Sequence, residues 1–150
     1  MLCSSIQCVD VCNTVQHTFL IKLSSKEFSI YKFSSEQSKN LHIDFSKHPF
    51  FVSISRTSKE LSIIAEKSFQ PNIEIENIES DWGAIYIEGP IPFESVGVLD
   101  AIIHPLSAKK ISVLVISTFS SDFLFFKKEY TDLVCSTLRA LGFTIIAEIE

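Results

Sequence analysis

The stretch from Asp81 to Asp122 constrains the fold more than any other part of this sequence. Residues 84–88 read as a β-strand that stops at Gly89-Pro90, a pair that commonly ends a strand. Apolar residues at three- and four-residue spacing then predict a helix over 93–109. Residues 111–119 are nearly all apolar, which is typical of a central strand buried on both faces. Small and polar residues collect at the junctions between these elements, where binding groups usually lie.

The predicted helix of residues 93–109 has one apolar stripe. Its members are Val96, Leu99, Ile103 and Leu106. Pro105 should kink the helix or end its regular part, because proline donates no backbone hydrogen bond. The stripe indicates that one side of this helix packs against a sheet.

The pattern continues after residue 119 with a turn, a return strand over 123–127 and a second helix. The apolar stripe of the second helix is Tyr130, Val134, Leu138 and Leu141. Gly142 suits the position just after a helix, and 143–147 reads as a last strand. The order β-α-β-β-α-β predicts an α+β fold of the ferredoxin-like type, with two helices on one face of an antiparallel sheet.

The first half of the chain reads mostly as strands. Residues 19–23 and 28–33 alternate and predict one hairpin, and 50–56 with 61–66 predict another. The polar segment 34–49 fits a loop with room for one helical turn. The acidic, alternating run 73–79 fits an edge strand or a linker.

Composition narrows the class of protein. Hydrophobic residues make up 46% of the 150 residues, which is ample for a core. The net charge of −5 argues against nucleic-acid binding, because an acidic protein is repelled by the phosphate backbone. No window reaches the apolar length of a membrane span, and the first residues do not resemble a signal peptide, so we expect a cytoplasmic protein that binds neither nucleic acid nor membrane. Residues 1–17, with Cys3, Cys8 and Cys12, read as a poorly defined leader without metal-ligand spacing.

No catalytic motif is present in the sequence. There is no Gly-rich phosphate loop, no G-x-S-x-G and no H-E-x-x-H, so we expect neither an enzyme nor a bound cofactor or metal. The four histidines are scattered and suggest no ligand set.

Several short motifs occur in a fixed order. They are Phe-Val-Ser-Ile-Ser-Arg-Thr at 51–57, Asp81-Trp82, Gly89-Pro90, Gly97-Val98-Leu99 and Ser-Thr-Phe-Ser-Ser-Asp-Phe at 117–123. Together they resemble the ACT-domain family, and in particular its small bacterial tandem-ACT proteins and CASTOR-type arginine sensors. The resemblance implies a first, helix-poor ACT-like unit at 18–76 and a second ACT unit at 77–150.

The resemblance also implies regulation rather than catalysis, with a small ligand, usually an amino acid, held between two ACT units. Because this chain has only one complete half, a full site would require a homodimer. The implied ligand-binding residues are Gly97, Val98 and Leu99 at the helix start, Thr118, Phe119 and Asp122 opposite, and Glu94 and Ser95 beside them.

A helix N-terminus suits an α-carboxylate, and Asp122 could pair with an α-ammonium or a guanidinium. On the residues alone, Asp122 fits the cap of a turn better than a binding group, and only the resemblance makes a binding role as good an interpretation. Gly97 has close helix–sheet packing as its alternative role. Two other functions stay open: a protein-interaction module that has lost its ligand, and an accessory subunit of an amino-acid biosynthetic enzyme such as aspartate kinase.

Overall fold

The computed structural model describes residues 19–48 and 50–148, so the predicted leader at 1–17 lies outside the described residues. The described chain divides into two compact units, which we call the middle unit (Lys26–Trp82) and the terminal unit (residues 19–25 and 83–148). Strand β5 (Asn77–Glu88) contributes its first six residues to the middle unit and its last six to the terminal unit. The predicted division into two ACT-like units near residue 76 stays a prediction.

The middle unit is built on a four-stranded antiparallel sheet. Besides β5 it contains β2 (Phe28–Ser34), β3 (Val52–Arg56) and β4 (Glu60–Glu66), in the order β3-β4-β2-β5. The β3–β4 hairpin was predicted and is confirmed, with Arg56 opposite Leu61 next to the turn.

The core of the middle unit lies on one face of this sheet. Its buried members are Tyr31, Phe33, Leu61, Ile63, Ala65 and Phe69. The predicted polar loop between β2 and β3 contains two short 3-10 helices, Gln37–Asn40 and Phe45–Lys47. Leu41 and Ile43, which lie between them, pack against the core.

The terminal unit combines a five-stranded sheet with two helices. The remaining elements are β1 (Leu20–Leu23), α1 (Val98–Ala108), β6 (Leu114–Ser117), β7 (Asp122–Lys127), α2 (Thr131–Ala140) and β8 (Ile145–Ala147). The strand order is β6-β7-β5-β1-β8, in which β1 runs antiparallel to β5 and parallel to β8. The fold is therefore α+β with a mainly antiparallel sheet, as predicted.

One continuous core joins the helices to the sheet of the terminal unit. Strand residues such as Ile21, Ile87 and Phe126 are fully buried against Ile102 of α1 and Leu138 of α2. The paired strand residues Ile21, Ile87 and Ile145 share the face that α1 and α2 cover. Both helices therefore lie on the same face of this sheet.

The predicted hairpin of residues 19–23 with 28–33 is wrong. Strand β1 pairs with β5 and β8, whereas β2 pairs with β4 and β5. Both segments alternate as strands should, but the turn between them carries no residue that fixes a tight hairpin. The first strand instead lies between β5 and β8, and it pairs Ile21 with Ile145, far away in the sequence.

The prediction that residues 111–119 form a central strand buried on both faces is also wrong. Strand β6 is only four residues long, and among the described strands it pairs with β7 alone. Ile111, Val113 and Val115 lie in or against the helix-covered core, which accounts for half of the six apolar residues. Leu114 and Ile116 are half-buried and Phe119 is 82% exposed, so the apolar run did not mean a central position.

The first helix starts later than predicted. It spans Val98–Ala108, and Val96, predicted in its apolar stripe, lies before it with 85% of its surface exposed. Val98, Ala101, Ile102 and Leu106 are the buried residues. Pro105 lies inside the regular helix, in its last turn, where the one backbone hydrogen bond it removes is near the helix end.

The end of α2 is closed as the sequence predicts. Gly142 has φ 94°, its N–H donates to the Arg139 carbonyl at 2.9 Å, and the Phe143 N–H donates to the Leu138 carbonyl at 3.1 Å. These two bonds form a Schellman motif, which needs a residue in the left-handed region after the helix.

We expect Gly142→Ala to lower the free energy of unfolding by about 1–2 kcal/mol, because a Cβ is strained at positive φ. Urea unfolding of the two proteins measures the difference. Gly142→Asn is the control, and it should lose less because asparagine tolerates this conformation. An alanine variant as stable as the parent would contradict the assignment.

Cys135 is the free cysteine of the described residues and is 5% exposed on α2. Burial raises the pKa of its thiol, so the reactive thiolate is disfavoured. Cys135 therefore acts as a core side chain, whereas Cys3, Cys8 and Cys12 lie outside the described residues.

Candidate functional site

A cavity of about 350 Å³ opens in the terminal unit where the segment before α1 meets the turn between β6 and β7. We call it the Asp122 cavity. Its lining consists of Ile91, Pro92, Phe93, Ser95, Gly97, Val98, Leu99 and Asp100 on one side and residues 117–122 on the other. Each wall consists of a loop and the end of the helix or strands that flank it, which is a common setting for a binding site.

One wall of the Asp122 cavity is the N-terminus of α1. Gly97 precedes the helix with φ 83°, and its carbonyl accepts the first intrahelical hydrogen bond, from the Ala101 N–H at 3.0 Å. The first N–H groups of a helix have no partner within it and carry a partial positive charge. Among the described residues no side chain caps these groups in α1, so this wall can hold an anionic group.

The opposite wall is a tight turn that Thr118 organises. The Thr118 N–H and hydroxyl both donate to the Ser121 carbonyl, at 2.8 and 2.9 Å. The Ser121 N–H donates back to the Thr118 hydroxyl oxygen at 3.1 Å. The Thr118 hydroxyl is thus already engaged within the turn, and its contribution is to shape the cavity.

Asp122 begins β7 and is paired across the sheet with Ser117. Its side chain is half-buried, and within the part of the chain that is described its carboxylate has no hydrogen-bond or ion-pair partner. The sequence left two roles open for Asp122, capping the turn and binding a ligand. The Thr118 hydroxyl closes the turn instead, so Asp122 does not cap it. Asp122 belongs to the lining of the cavity.

Two phenylalanines stand at the open side of the cavity. Phe93 and Phe119 are 78% and 82% exposed, yet their rings contact each other edge to face, with centroids 5.3 Å apart. The sequence predicted a site role for Phe119 but not for Phe93. Phe93 lies in a loop without periodicity, and its one signal is a large aromatic residue between Pro92 and a helix start.

Gly89 and Ser120 fix the distance between the end of β5 and the β6–β7 turn. The Ile91 N–H donates to the Ser120 carbonyl oxygen at 3.3 Å. A Cβ added to Gly89 would lie 1.6 Å from that same oxygen, so only glycine allows the two backbones to come this close. The close contact holds one wall of the cavity against the end of β5.

All but one of the predicted site residues line the Asp122 cavity. Glu94 is the exception, because it is exposed and does not belong to the lining. Asp100 lies in the first turn of α1 and adds a second carboxylate that the sequence analysis did not single out. The sequence order of the motifs therefore brought seven of eight residues to one place.

No group of three histidine, cysteine or carboxylate side chains could hold a metal ion within residues 19–48 and 50–148. Over the same residues, no helix has the length and apolar character needed to cross a membrane. The cavity is thus lined by backbone amides, two carboxylates, hydroxyls and apolar side chains.

A comparison with known protein families finds a match in the part of the chain that carries the cavity. Residues 77–140 match the family model described as ACT domain, a range that includes every lining residue. This part of the chain is therefore similar to an ACT domain. No curated protein sequence matches the chain.

Solved structures with the same fold cover nearly the whole chain. A protein from Agobacterium tumefaciens is 26% identical with a TM-score of 0.74, and the match covers 88% of this chain and 95% of that one. A protein of unknown function from Vibrio cholerae is 17% identical with a TM-score of 0.62, covering 93% and 99% of the two chains. The ligand-free regulatory subunit of aspartate kinase from Thermus thermophilus is 8% identical with a TM-score of 0.57, covering 83% and 97%.

Proposed function

We propose that this protein is a non-catalytic regulator or sensor that binds an amino acid in the Asp122 cavity. The observation that carries the proposal is the juxtaposition, on opposite walls of one cavity, of a helix N-terminus without a side-chain cap and a carboxylate without a partner among the described residues. An amino-acid zwitterion needs both, because its α-carboxylate is held by helix N–H groups and its α-ammonium by Asp122.

A homodimer completes this site. Phe93, Val96 and Phe119 expose 78%, 85% and 82% of their surface at or beside the open side of the cavity. Strand β6, which ends at the cavity, has a free edge among the described strands, and none of its residues is charged. A free strand edge and a patch of exposed apolar side chains are normally covered by a partner protein, and a second copy of this chain presents the same edge and the same patch.

The finer assignment to a tandem-ACT protein of the CASTOR type belongs to the same proposal. The match over residues 77–140 supports one ACT domain, and the middle unit would be its helix-poor counterpart. A cytoplasmic location also remains part of the proposal.

An accessory subunit is the second candidate function, favoured by the fold shared with a regulatory subunit of aspartate kinase. In that case the chain acts in trans on an amino-acid biosynthetic enzyme or another target protein. Copurification of an enzyme with the native protein would support this candidate, while the amino-acid site would stay the same.

The direct test is a thermal-shift screen of the twenty amino acids. A ligand at a hundred times its Kd stabilises the folded state by about 2.7 kcal/mol. For a chain of this size we expect the Tm to rise by roughly 5–10 °C. Asp122→Asn should abolish the rise without lowering the Tm of the unliganded protein, because the carboxylate has no partner there.

The matched control is Asp132→Asn on α2, an exposed aspartate of the same unit that does not line the cavity. It should keep the full ligand response. A response that survives Asp122→Asn would place the ligand elsewhere. No response of the parent to any amino acid at millimolar concentration would favour the third function, an interaction module without a ligand.

A further inference from the structure

We infer that the Phe93–Phe119 pair contacts the side chain of the bound amino acid and selects apolar or cationic side chains over acidic ones, which rests on the proposed function. Phe93 is the new specificity-determining residue in this assignment. The two rings come from opposite walls of the Asp122 cavity, one from the segment before α1 and one from the β6–β7 turn.

The positions of the polar groups in the lining indicate which part of the cavity holds the ligand's α-carboxylate and α-ammonium and which part holds its side chain. The α1 N-terminus and Asp122 bind the α-carboxylate and the α-ammonium, so both charged main-chain groups are held on the inner walls. The ring pair offers apolar surface to a ligand, because Phe93 and Phe119 expose 78% and 82% of their surface whereas Val98 exposes only 6%. A ligand side chain that points outward therefore lies against Phe93 and Phe119.

The charge of the lining decides which side chains are accepted. Asp100 and Asp122 both line the cavity, and none of its described lining residues is lysine, arginine or histidine. On the walls that one protomer supplies, an acidic ligand side chain would meet two carboxylates and no described cation, so these walls repel it. A cationic side chain is attracted to the carboxylates and to the faces of the two rings, and an apolar one gains from burial against them.

The experiment measures the affinity of parent and Phe93→Ala for a graded set of amino acids by isothermal titration calorimetry. The set is leucine, lysine, arginine, glutamate, aspartate and alanine, in which alanine lacks the side chain that would reach the rings. For the longer apolar or cationic ligand that the parent binds best, we expect Phe93→Ala to weaken binding roughly tenfold. Alanine should bind weakly to both proteins, with a change of less than about twofold.

Two controls separate side-chain recognition from other roles of Phe93. Phe45→Ala removes an equally large ring that is 60% exposed in the middle unit, and it should leave every affinity unchanged. Phe93→Leu keeps an apolar contact and should recover part of the lost affinity. The oligomeric state of each variant is checked by light scattering, because loss of a dimer would weaken all ligands equally.

Three results would each contradict a different part of the inference. Tightest binding of glutamate or aspartate by the parent would overturn the selectivity while leaving the proposed function intact. Equal weakening of alanine and of the longer ligands in Phe93→Ala would overturn the role of Phe93. Absence of binding by every amino acid would instead remove the proposed function, and the inference with it.

Discussion

Gly89→Ala is expected to destabilise the protein by on the order of 3 kcal/mol or more, and to remove any response to amino acids. The new Cβ would lie 1.6 Å from the Ser120 carbonyl oxygen and 2.7 Å from its carbonyl carbon. These are backbone atoms, so no rotation of a side chain relieves the overlap. Either β5 or the turn that carries Thr118 and Phe119 must move, and the second movement opens one wall of the Asp122 cavity.

Gly83→Ala is the matched control for this substitution. Its Cβ would lie 3.3 Å from the ring edge of Phe126 and 3.5 Å from the Thr131 hydroxyl oxygen, contacts that small side-chain shifts accommodate. Urea unfolding should therefore show a clearly smaller loss for Gly83→Ala than for Gly89→Ala. Equal losses for the two variants would mean that the Gly89–Ser120 contact is not what limits this position.

The sequence predicted the parts of the fold that depend on local patterns. The β3–β4 hairpin, the order of elements after residue 77 and the Gly142 cap all follow from alternation, helical spacing or a single glycine. Strand β1 was placed wrongly because its partner β8 lies more than a hundred residues away, with Ile21 opposite Ile145. No local pattern records which distant strand a segment will pair with.

Apolar residues that lie outside the core misled the helix and strand predictions in the same way. Val96 and the second face of β6 look like core residues in the sequence, yet Val96 is 85% exposed and β6 lies at the sheet edge among the described strands. Periodicity detects that a position favours an apolar environment, but it does not say whether that environment is this chain or a partner. The errors cluster where we propose that a second copy binds.

The residues predicted for the site lie close together in the structure because they follow motifs at element junctions, and their binding role stays a prediction. The start of α1 and the β6–β7 turn were both marked by small and polar residues, and the structure brings them to one cavity. Phe93 was missed since a single aromatic residue in a loop has no pattern. Asp100 was missed because it reads as an ordinary first-turn acid, a position that favours carboxylates in any helix.

Phe126→Ala is expected to cost about 3–5 kcal/mol of unfolding free energy, a large share of the roughly 5–15 kcal/mol that holds a typical domain together. Phe126 is fully buried in the core that joins the sheet to α1 and α2. Its ring also lies within 3.3 Å of the position that a Gly83 Cβ would take, so it fills the space that glycine leaves on β5. Removing the ring leaves a cavity that this backbone cannot close.

Urea unfolding of Phe126→Ala and of Phe93→Ala, where the ring is 78% exposed, isolates the effect of burial from the effect of losing an aromatic residue. The exposed variant should change stability by less than about 0.5 kcal/mol. Phe126→Leu serves if the alanine variant does not fold, and it should lose less stability.

Adding Gly83→Ala to Phe126→Ala should cost less unfolding free energy than adding it to the parent, because the new methyl group enters the vacated space. Additive losses in this double-mutant cycle would show that Gly83 and Phe126 do not share one packing site.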